Sequence, residues 1–338
     1  MSYKKIKQLP NISQVVNGLP LSLNHIININ KHNNDIKSIL NGTDNRLLLI
    51  VGPCSAWPYE ASIEYAKQLM ALQIQVQSKI KLVMRVYTQK PRTTIGWGGA
   101  WIQPELDSAP DIEGGIYYTR KLMYEISSIG LAIATEILYL DYYQTYLDLI
   151  SWAAIGARSA ENQEHRIFAS MLDIAVGIKN PTTGLTTIGI NSILSAQQQH
   201  TTIIDNYQIE TSGNLYAHLV LRGGNNQSNY HDLTKLYQSL IVNNISNPAI
   251  IIDVSHDNSI IDGKKQFEAQ GDILLNILQM QDFNNNYIRG FMLESFLLGG
   301  CQSIKKNDIL NLNGLSITDP CLDFIATQEL ILKLYSSR

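Results

Sequence analysis

The chain has 338 residues, of which 45% are hydrophobic, so it can bury a substantial core and is expected to fold rather than stay disordered. A net charge of −3 at pH 7 gives no reason to expect a nucleic-acid or membrane partner. No apolar run reaches the roughly 18 residues of a membrane span, and residues 1–13 lack the apolar core of a signal peptide. Because Cys54, Cys301 and Cys321 are too sparse for a disulfide framework, we expect a cytoplasmic protein.

Eight short apolar runs have strand length and are rich in Val, Ile, Leu and Ala, which is typical of strands buried on both faces of a parallel sheet. In chain order they are Arg46–Val51, Leu82–Tyr87, Leu131–Glu136, Ala153–Ala157, Ile174–Lys179, Leu219–Arg222, Ala249–Val254 and Ile288–Leu293. Amphipathic segments of helical period separate them, and the clearest are Tyr59–Gln77, Gly115–Ile129, Asn162–Leu172, Asp232–Val242 and Lys264–Gln279. Acidic and small polar residues at Asp111–Glu113 and Ser159–Glu161 predict two helix starts.

This alternation predicts the fold class. The length allows either two ordinary domains or one large barrel, and eight strand-plus-helix units in one run favour an α/β fold of the (β/α)8 TIM-barrel type. We expect the barrel to occupy residues 43–338, and residues 1–42 to form an N-terminal extension with a short strand-like start and a helix near Asp35–Leu40. A short inserted hairpin is predicted at Thr201–Ser212, between the fifth and sixth barrel strands.

Cations recur at the predicted strand ends, where the active site of an α/β barrel lies. They are Arg85, Lys90, Arg92, Arg158, Lys179 and Arg222. Around Lys90, the turn KPRTT adds two hydroxyls, and Pro91 restricts its backbone, which lowers the entropy cost of ordering the turn. Each cation taken singly is more often a surface charge, but together they predict a site for more than one phosphate, or for a phosphate and a carboxylate.

A second group of residues, expected to come from different strand-to-helix loops, has the chemistry of metal ligands. It consists of Cys54, His256, Glu294 and Asp319. Thiolate, imidazole and carboxylate together suit a borderline divalent metal such as Mn²⁺, Fe²⁺, Co²⁺ or Zn²⁺. Cys54 and His256 could each be ordinary core residues, whereas Glu294 ends an apolar strand with a carboxylate that needs a partner. Asp253 and Asp257 flank His256 and could hold its second nitrogen.

Long motifs in consistent order support a specific resemblance. They are LLLIVGPCS (47–55), VMRVYTQKPRTTIGW (83–97), LISWAAIGARSAENQEHR (149–166), GIKNPTTG (177–184), LRGGNNQSNY (221–230), DVSHDNS (253–259), MLESFLLGGCQ (292–302) and GLSITDPCLD (314–323). From about Asn45 to Ala326 the chain resembles the class I, metal-dependent, bacterial and fungal 3-deoxy-D-arabino-heptulosonate-7-phosphate (DAHP) synthases. These enzymes catalyse the first step of the shikimate pathway by condensing phosphoenolpyruvate with erythrose 4-phosphate.

The resemblance implies a role for each matching residue. Cys54, His256, Glu294 and Asp319 match the family's metal ligands, with Mn²⁺ preferred and Fe²⁺, Co²⁺ or Zn²⁺ as alternatives. The residues that match the phosphoenolpyruvate site are Arg85, Lys90, Glu136, Ala157, Arg158, Lys179 and Arg222. Ser55, Pro91, Arg92, Thr93 and Asp319 match contacts to erythrose 4-phosphate. Lys90, Cys54 and His256 are the expected catalytic residues, with Lys90 placed to protonate the developing alkoxide and a metal-bound water as the alternative acid.

The chain also departs from the family's pattern, which keeps alternatives open. Ala56-Trp57-Pro58 stands where the family usually has a His-Asp pair, and Gly98 stands where a Lys is common. Both changes favour considering a relative that uses a different aldose phosphate, and a catalytically weak regulatory paralogue is the third reading. In relatives the N-terminal extension and the hairpin build an aromatic amino acid effector site and the contacts of a homodimer or homotetramer. Both elements look shortened here and Asp173 adds an acid nearby, so we expect weak feedback inhibition.

Overall fold

The computed structural model describes residues 2–280, 287–304 and 309–338. In this part of the chain, eight parallel strands close into one barrel, as predicted. They are β1 (Leu47–Gly52), β2 (Ile80–Arg85), β3 (Ala132–Glu136), β4 (Trp152–Ile155), β5 (Ala175–Lys179), β8 (Ala217–Leu221), β9 (Ile250–Asp253) and β12 (Ile288–Glu294). Two antiparallel hairpins lie outside the barrel, β6 (Thr201–Ile204) with β7 (Tyr207–Glu210), and β10 (Ile260–Ile261) with β11 (Lys264–Lys265).

Helices surround the barrel and also precede it. They are α1 (Ile12–Gly18), α2 (Leu23–Asn41), α3 (Tyr59–Val76), α4 (Ile112–Ile129), α5 (Gln163–Met171), α6 (Thr186–Ala196), α7 (Leu233–Val242), α8 (Gln270–Gln279) and α9 (Phe324–Ser337). Helix α4 ends at Gly130, whose φ of +102° is a left-handed conformation that glycine adopts without strain. Among the described residues, no helix combines the length and the apolar character needed to cross a membrane.

The strand register determines which side chains meet at the mouth of the barrel. β1 and β12 pair in parallel with Gly52 opposite Glu294, so Cys54 leaves the end of β1 beside the Glu294 carboxylate. β1 and β2 pair with Val51 opposite Met84, so Arg85 lies at the same height in the barrel as Gly52. Because carboxyl ends of parallel strands share one edge, residues far apart in sequence converge there.

Three details differ from the sequence-based expectation. The helix predicted over Lys264–Gln279 begins only at Gln270, because the hairpin β10–β11 and a 3₁₀ turn at Phe267–Ala269 come first. Helix α5 begins after Asn162 rather than at Ser159–Glu161, since the Asn162 side chain accepts hydrogen bonds from the backbone of Glu164 and His165. Residues 2–10 contain no strand, so the strand-like start predicted for the extension was wrong.

The second helix of the extension closes the amino-terminal end of the barrel. Ile36, Ile39 and Leu40 of α2 are at most 1% exposed and belong to the same apolar cluster as Leu48 and Ile50 of β1. Burial of an aliphatic side chain is worth about 1.5–3 kcal/mol, so these three contribute several kcal/mol to folding. The helix is therefore part of the barrel core and not only a surface appendage.

A charged contact fixes the same helix to the barrel wall. The ammonium of Lys81, on β2, lies 2.7 Å from Asp35 Oδ2 and 2.8 Å from His32 Nδ1. Asp35 also pairs with Arg46 at 2.9 Å. Burial and the neighbouring Lys81 charge lower the pKa of His32 to about 4, so the ring accepts from Lys81 in its neutral form.

The inserted hairpin lies between β5 and β8, as predicted. Its strands β6 and β7 pair from Thr201 opposite Glu210 to Ile204 opposite Tyr207. Asp205 and Asn206 form the two-residue turn with φ of +49° and +66°, the left-handed pair that this kind of hairpin requires. The hairpin keeps Ile203 and Tyr207 about three-quarters exposed, so its apolar side chains are available for a contact.

Candidate active site

A cavity of about 240 Å³ lies at the carboxyl ends of the barrel strands. The predicted site residues that line it are Cys54, Lys90, Pro91, Arg92, Glu136, Ala157, Arg158, Lys179, Arg222, His256 and Asp319. Of the other predicted residues, Ser55 contacts Thr318 of this lining, Glu294 lies 3.6 Å from His256, and Arg85 lies deeper and pairs with Glu294. Thr93 lies on the solvent side and accepts a hydrogen bond from Arg158. The barrel thus brings together residues from the ends of all eight strands.

The floor of the cavity contains a buried ion pair. Arg85 Nη2 donates to Glu294 Oε1 at 3.1 Å, and the two side chains are 1% and 0% exposed. The guanidinium also lies over the ring of Tyr87, 4.1 Å from its centroid. Two charges taken out of water are costly unless each has a partner, so Arg85 and Glu294 depend on one another.

The basic turn after β2 forms one wall. The ammonium of Lys90 donates to the backbone oxygen of Cys54 at 2.7 Å and to its Sγ at 3.2 Å. Arg92 donates to the backbone oxygen of Trp97 at 2.7 Å, which folds the turn back on itself. Arg158 reaches across from the loop after β4 and donates to Thr93 Oγ1 at 3.1 Å. Arg92, Thr93 and Arg158 are exposed, so their polar groups face the solvent side of the mouth.

The opposite wall presents cations that are already paired with acids. Lys179, at the end of β5, donates to Asp253 Oδ2 at 2.8 Å. Arg222, just after β8, lies 3.2 Å from Asp257 Oδ1. Lys179 and Arg222 are each only 6% exposed, and the acid in each pair lowers the free-energy cost of burying the cation. Asp257, one of the two acids that could have held the second nitrogen of His256, contacts Arg222 instead.

Glu136 contributes an acid between these two walls. It ends β3 and is 9% exposed. A Cβ atom at Gly156 would lie 1.9 Å from Glu136 Oε1, so only glycine leaves room for this carboxylate next to Ala157. The predicted phosphoenolpyruvate residues Glu136 and Ala157 are therefore neighbours in the cavity wall.

The predicted metal ligands also converge. The ligand atoms of Cys54, Glu294 and Asp319 all lie within 4.8 Å of one another. His256 Nε2 lies 3.6 Å from Glu294 Oε1, and its Nδ1 lies 2.9 Å from Asp253 Oδ2, as expected for a supporting carboxylate. His256 has a φ of +52°, a strained conformation for a residue other than glycine and one that is concentrated at functional sites.

The electrostatics of this group fit a divalent cation. Burial raises the pKa of the Cys54 thiol, and the negative charge of Glu294 adds to the effect. Burial acts in the same direction on Glu294, but the surrounding cations, Lys265 and Arg85 among them, hold its pKa well below the usual range. Burial lowers the pKa of His256, which favours the neutral imidazole that a metal requires. A neutral imidazole, two carboxylates and a thiol that a cation would ionise form a ligand set of the predicted type.

The structure adds residues that the sequence did not single out. Lys265, Thr182 and Thr318 line the cavity. Lys265 was missed because it belongs to the hairpin after β9, in a segment that the sequence pattern assigned to a helix. Thr318 Oγ1 lies 2.9 Å from Ser55 Oγ and links the loops after β1 and β12. In the sequence, Thr318 could have been identified by its position one residue before the predicted ligand Asp319.

The two departures from the family's pattern lie under the basic turn. Trp57 is 8% exposed, donates to the backbone oxygen of Pro104 at 2.9 Å and packs edge-to-face against Trp97, with ring centroids 6.2 Å apart. The Cα of Gly98 faces Ile102, because a Cβ there would lie 3.1 Å from that side chain. Trp57 thus supports the turn by packing and has no group that enters the cavity lining.

A larger cavity, of about 520 Å³, lies on the outside of the barrel. It is enclosed by α1, the loop after β3, α5 and the hairpin β6–β7, where the resemblance implies an effector site. Its described lining includes Asp141, Glu164 and Asp205 but no lysine or arginine. Asp173, the acid that we expected there, is not among its lining residues.

Fold and cavity together define a (β/α)8-barrel protein with a cation-rich mouth beside a group of metal-ligating side chains. The model of the DAHP synthetase I family matches residues 24–330, and the chain belongs to this family. This confirms the resemblance that the sequence motifs predicted.

Individual relatives agree with that assignment. The chain is 40% identical over 309 residues to the Trp-sensitive phospho-2-dehydro-3-deoxyheptonate aldolase of Escherichia coli strain K12, covering 89% of this chain and 87% of the relative. It is 34% identical to the phospho-2-dehydro-3-deoxyheptonate aldolase of Corynebacterium glutamicum, covering 97% and 91% of the two chains. The solved structure of the Francisella tularensis SCHU S4 phospho-2-dehydro-3-deoxyheptonate aldolase superposes with a TM-score of 0.92 at 33% identity, covering 99% and 98%.

Proposed function

We propose that this chain is a 3-deoxy-7-phosphoheptulonate synthase, which condenses phosphoenolpyruvate with erythrose 4-phosphate and water to give DAHP and phosphate. The enzyme is a transferase that forms a carbon–carbon bond in the first step of the shikimate pathway. One observation supports this proposal above all: five of the predicted Lys and Arg side chains line a single cavity together with three of the four predicted metal ligands. Membership of the DAHP synthetase I family supplies the reaction that such a site performs.

We assign phosphoenolpyruvate to the inner part of the cavity. Its carboxylate and phosphate together carry several negative oxygens, which suit the paired cations Arg85, Lys179 and Arg222 and the more exposed Arg158. Lys90, Glu136 and the backbone of Ala157 complete this subsite. Because Arg85, Lys179 and Arg222 are held by acids before substrate arrives, little side-chain entropy is lost on binding.

We assign the phosphate of erythrose 4-phosphate to the outer part, at the basic turn. Arg92 and Thr93 supply a charged fork and a hydroxyl, Pro91 and Asp319 line the same cavity as Arg92, and Ser55 contacts Thr318 next to Asp319. In this assignment the aldehyde end of the sugar would lie next to the candidate metal ligands. Two anions bound in series would then present the enol carbon of one to the aldehyde of the other.

Cys54, His256, Glu294 and Asp319 would hold a divalent metal, with Mn²⁺ the preferred ion and Fe²⁺, Co²⁺ or Zn²⁺ the alternatives. A bound metal would act as a Lewis acid on the aldehyde oxygen. Lys90 is the candidate acid that protonates the developing alkoxide, because its ammonium lies 3.2 Å from Cys54 Sγ, at the edge of the metal site. Burial acts to lower the pKa of Lys90, but the nearby carboxylates, Glu294 first among them, outweigh it and raise the pKa, so Lys90 is protonated at neutral pH.

Three broader assignments complete the proposal. We infer that the protein works in the cytoplasm and that residues 43–338 form the catalytic barrel. We also infer that it is a homodimer or homotetramer in which residues 1–42 and the hairpin make subunit contacts. Ile6, Ile203 and Tyr207 support this contact, because each is at least 73% exposed and lies on those two elements.

The test is an assay of phosphoenolpyruvate consumption with a panel of aldose phosphates, with and without Mn²⁺. We expect turnover with erythrose 4-phosphate that depends on the metal. Faster turnover with another aldose phosphate would favour the alternative relative, for which the packing of Trp57 beneath the basic turn is the reason to look. Absence of turnover with every sugar would leave the regulatory paralogue.

A further inference from the structure

Lys265 contacts the candidate metal ligands from a short hairpin outside the barrel sheet. It lies on β11 of the short hairpin that follows the 3₁₀ turn of His256, and its side chain lines the catalytic cavity. Its Nζ lies 3.0 Å from Asp319 Oδ2 and 3.7 Å from Glu294 Oε2. The ammonium therefore lies beside both carboxylates of the candidate metal-ligand set.

The surrounding acids need this positive charge. Asp319 and Glu294 lie within 4.8 Å of each other and of Cys54 Sγ, and because Glu294 is fully buried, although the Asp319 side chain is half exposed, the two carboxylates repel more strongly than they would in water. Arg85 contacts only one oxygen of Glu294, Oε1. Among the described residues, Lys265 is the cation that forms an ion pair with Asp319. Without it, Asp319 would depend on more distant charges.

The side chain is also able to withdraw. Lys265 is 25% exposed, whereas Glu294 is fully buried, so its flexible stem leads from the carboxylates toward solvent. The hairpin turn at Asp262 and Gly263, with φ of +52° and +73°, keeps the lysine on a short protruding element instead of a barrel strand. A point charge on a flexible chain can leave a site that a bidentate guanidinium would hold more firmly.

We propose that Lys265 is the resident counter-ion of the metal centre, holding Asp319 and Glu294 together in the metal-free protein and giving way when a divalent cation binds. This inference rests on the proposed function only in using the same four ligands. Two consequences follow, and they have opposite signs. Lys265 stabilises the metal-free protein, and it lowers the affinity for the metal, because the ligands must exchange one cation for another.

The experiment compares Lys265→Met with Lys264→Met, a neighbour on the same short strand that is exposed and is not among the cavity-lining residues. Both proteins and the wild type are stripped with EDTA and dialysed. Mn²⁺ is then titrated calorimetrically, and the melting temperature of each metal-free protein is measured. For Lys265→Met we expect Mn²⁺ to bind at least about tenfold more tightly and the metal-free melting temperature to fall. For Lys264→Met we expect both values to match the wild type.

Other outcomes overturn the proposal. Unchanged Mn²⁺ affinity would mean that Lys265 does not compete with the metal, and weaker binding would mean that it orients the ligands for the metal. A merely structural lysine would lower the melting temperature without tightening Mn²⁺ binding. Should Lys265→Met not fold, Lys265→Gln gives the same readouts with a polar side chain of similar reach. Neither readout uses turnover, so a wild type that binds Mn²⁺ but makes no DAHP would count against the proposed reaction and not against this inference.

Discussion

The two halves of the cavity mouth are built in different ways. In the strand half, Arg85, Lys179 and Arg222 leave barrel strands or follow them directly, are at most 6% exposed, and each contacts an acid. In the loop half, Arg92, Thr93 and Arg158 are exposed and contact a backbone oxygen or each other. The same types of side chain therefore occur in a preorganised setting and in an adaptable one.

The difference shows how one cavity can treat two anions separately. A cation held by a buried acid has its position fixed before the substrate binds, so it adds affinity at little entropic cost. Substituting such a residue, however, also lowers the stability of the fold. A cation on an exposed turn contributes little to folding, so it can change with consequences for binding only. We expect stability and affinity to be linked in the strand half and independent in the loop half.

Metal removal should have the largest effect, because the candidate ligands contact Lys90 of the basic turn as well as Arg85 of the strand half. We expect EDTA to abolish DAHP formation and Mn²⁺ or Co²⁺ to restore it. Cys54→Ser should weaken Mn²⁺ binding, since a neutral hydroxyl replaces a thiolate ligand. Activity assays on stripped and reloaded protein check this, and full activity in the stripped protein would remove the metal from the mechanism.

Arg85→Met tests the strand half. Removing Arg85 takes away the cation that contacts Glu294 Oε1 and leaves only the longer contact of Lys265 with Oε2, so we expect the free energy of unfolding to fall by about 3–5 kcal/mol. Urea denaturation of the metal-free protein measures this loss. In the control, Arg85→Met combined with Glu294→Gln removes both charges and should recover much of the stability. A loss below about 1 kcal/mol in the single variant would show that the pair is not structurally required.

Arg92→Ala tests the loop half. We expect the KM for erythrose 4-phosphate to rise by roughly ten- to a hundredfold, which corresponds to about 1.5–3 kcal/mol for a charge-assisted contact. The KM for phosphoenolpyruvate should change much less, and the urea midpoint should stay close to the wild-type value. Arg92→Lys, which keeps the charge, is the matched control and should lose less. Equal effects on both substrates would assign the basic turn to the wrong ligand.

Acid should destabilise the barrel core through His218. Burial lowers its pKa to about 4, and its ring accepts a hydrogen bond from Trp152 at 3.2 Å in the neutral form. In the unfolded chain the same group titrates near 6.5, so the unfolded state binds more protons below that pH. Stability should therefore be intact above pH 6.5 and fall toward pH 4, with a loss of about 2 kcal/mol at pH 5. Urea unfolding at pH 7 and pH 5 measures it, and His218→Asn should show a smaller difference between the two.

Feedback inhibition is expected to be the smallest effect. The outer cavity is lined by Asp141, Glu164 and Asp205, which repel an amino acid's carboxylate, although they attract its ammonium group. We predict weak or absent inhibition by Phe, Tyr and Trp. Titrating each amino acid into the activity assay is the measurement, and inhibition at micromolar concentration by any of them would mean that this cavity is a working effector site.

The barrel was predictable from sequence because its signals are local. Strands such as Leu47–Gly52 and Ala175–Lys179 are buried on every residue, so they read as continuous apolar runs, and each predicted strand overlaps the observed one. Most candidate ligands and cations were found for the same reason, since residues such as Glu136, Lys179 and Glu294 end such a run, whereas Asp319 lies in a loop well after β12. The segment around Lys265 was misassigned because a two-residue hairpin leaves too short a pattern to separate it from the helix that follows.

The sequence by itself determined the order of the strands, the side chains at their ends and the family motifs, all of which are encoded in short stretches. Only the tertiary structure decided which charges neutralise one another. The pairing of Arg85 with Glu294 joins residues 209 positions apart, and the contact of Lys265 with Asp319 joins a hairpin to a loop after another strand. Such pairs depend on barrel closure and strand register, which no local pattern specifies. The packing of α2 beneath the barrel has the same origin, because an amphipathic helix does not indicate which surface it will cover.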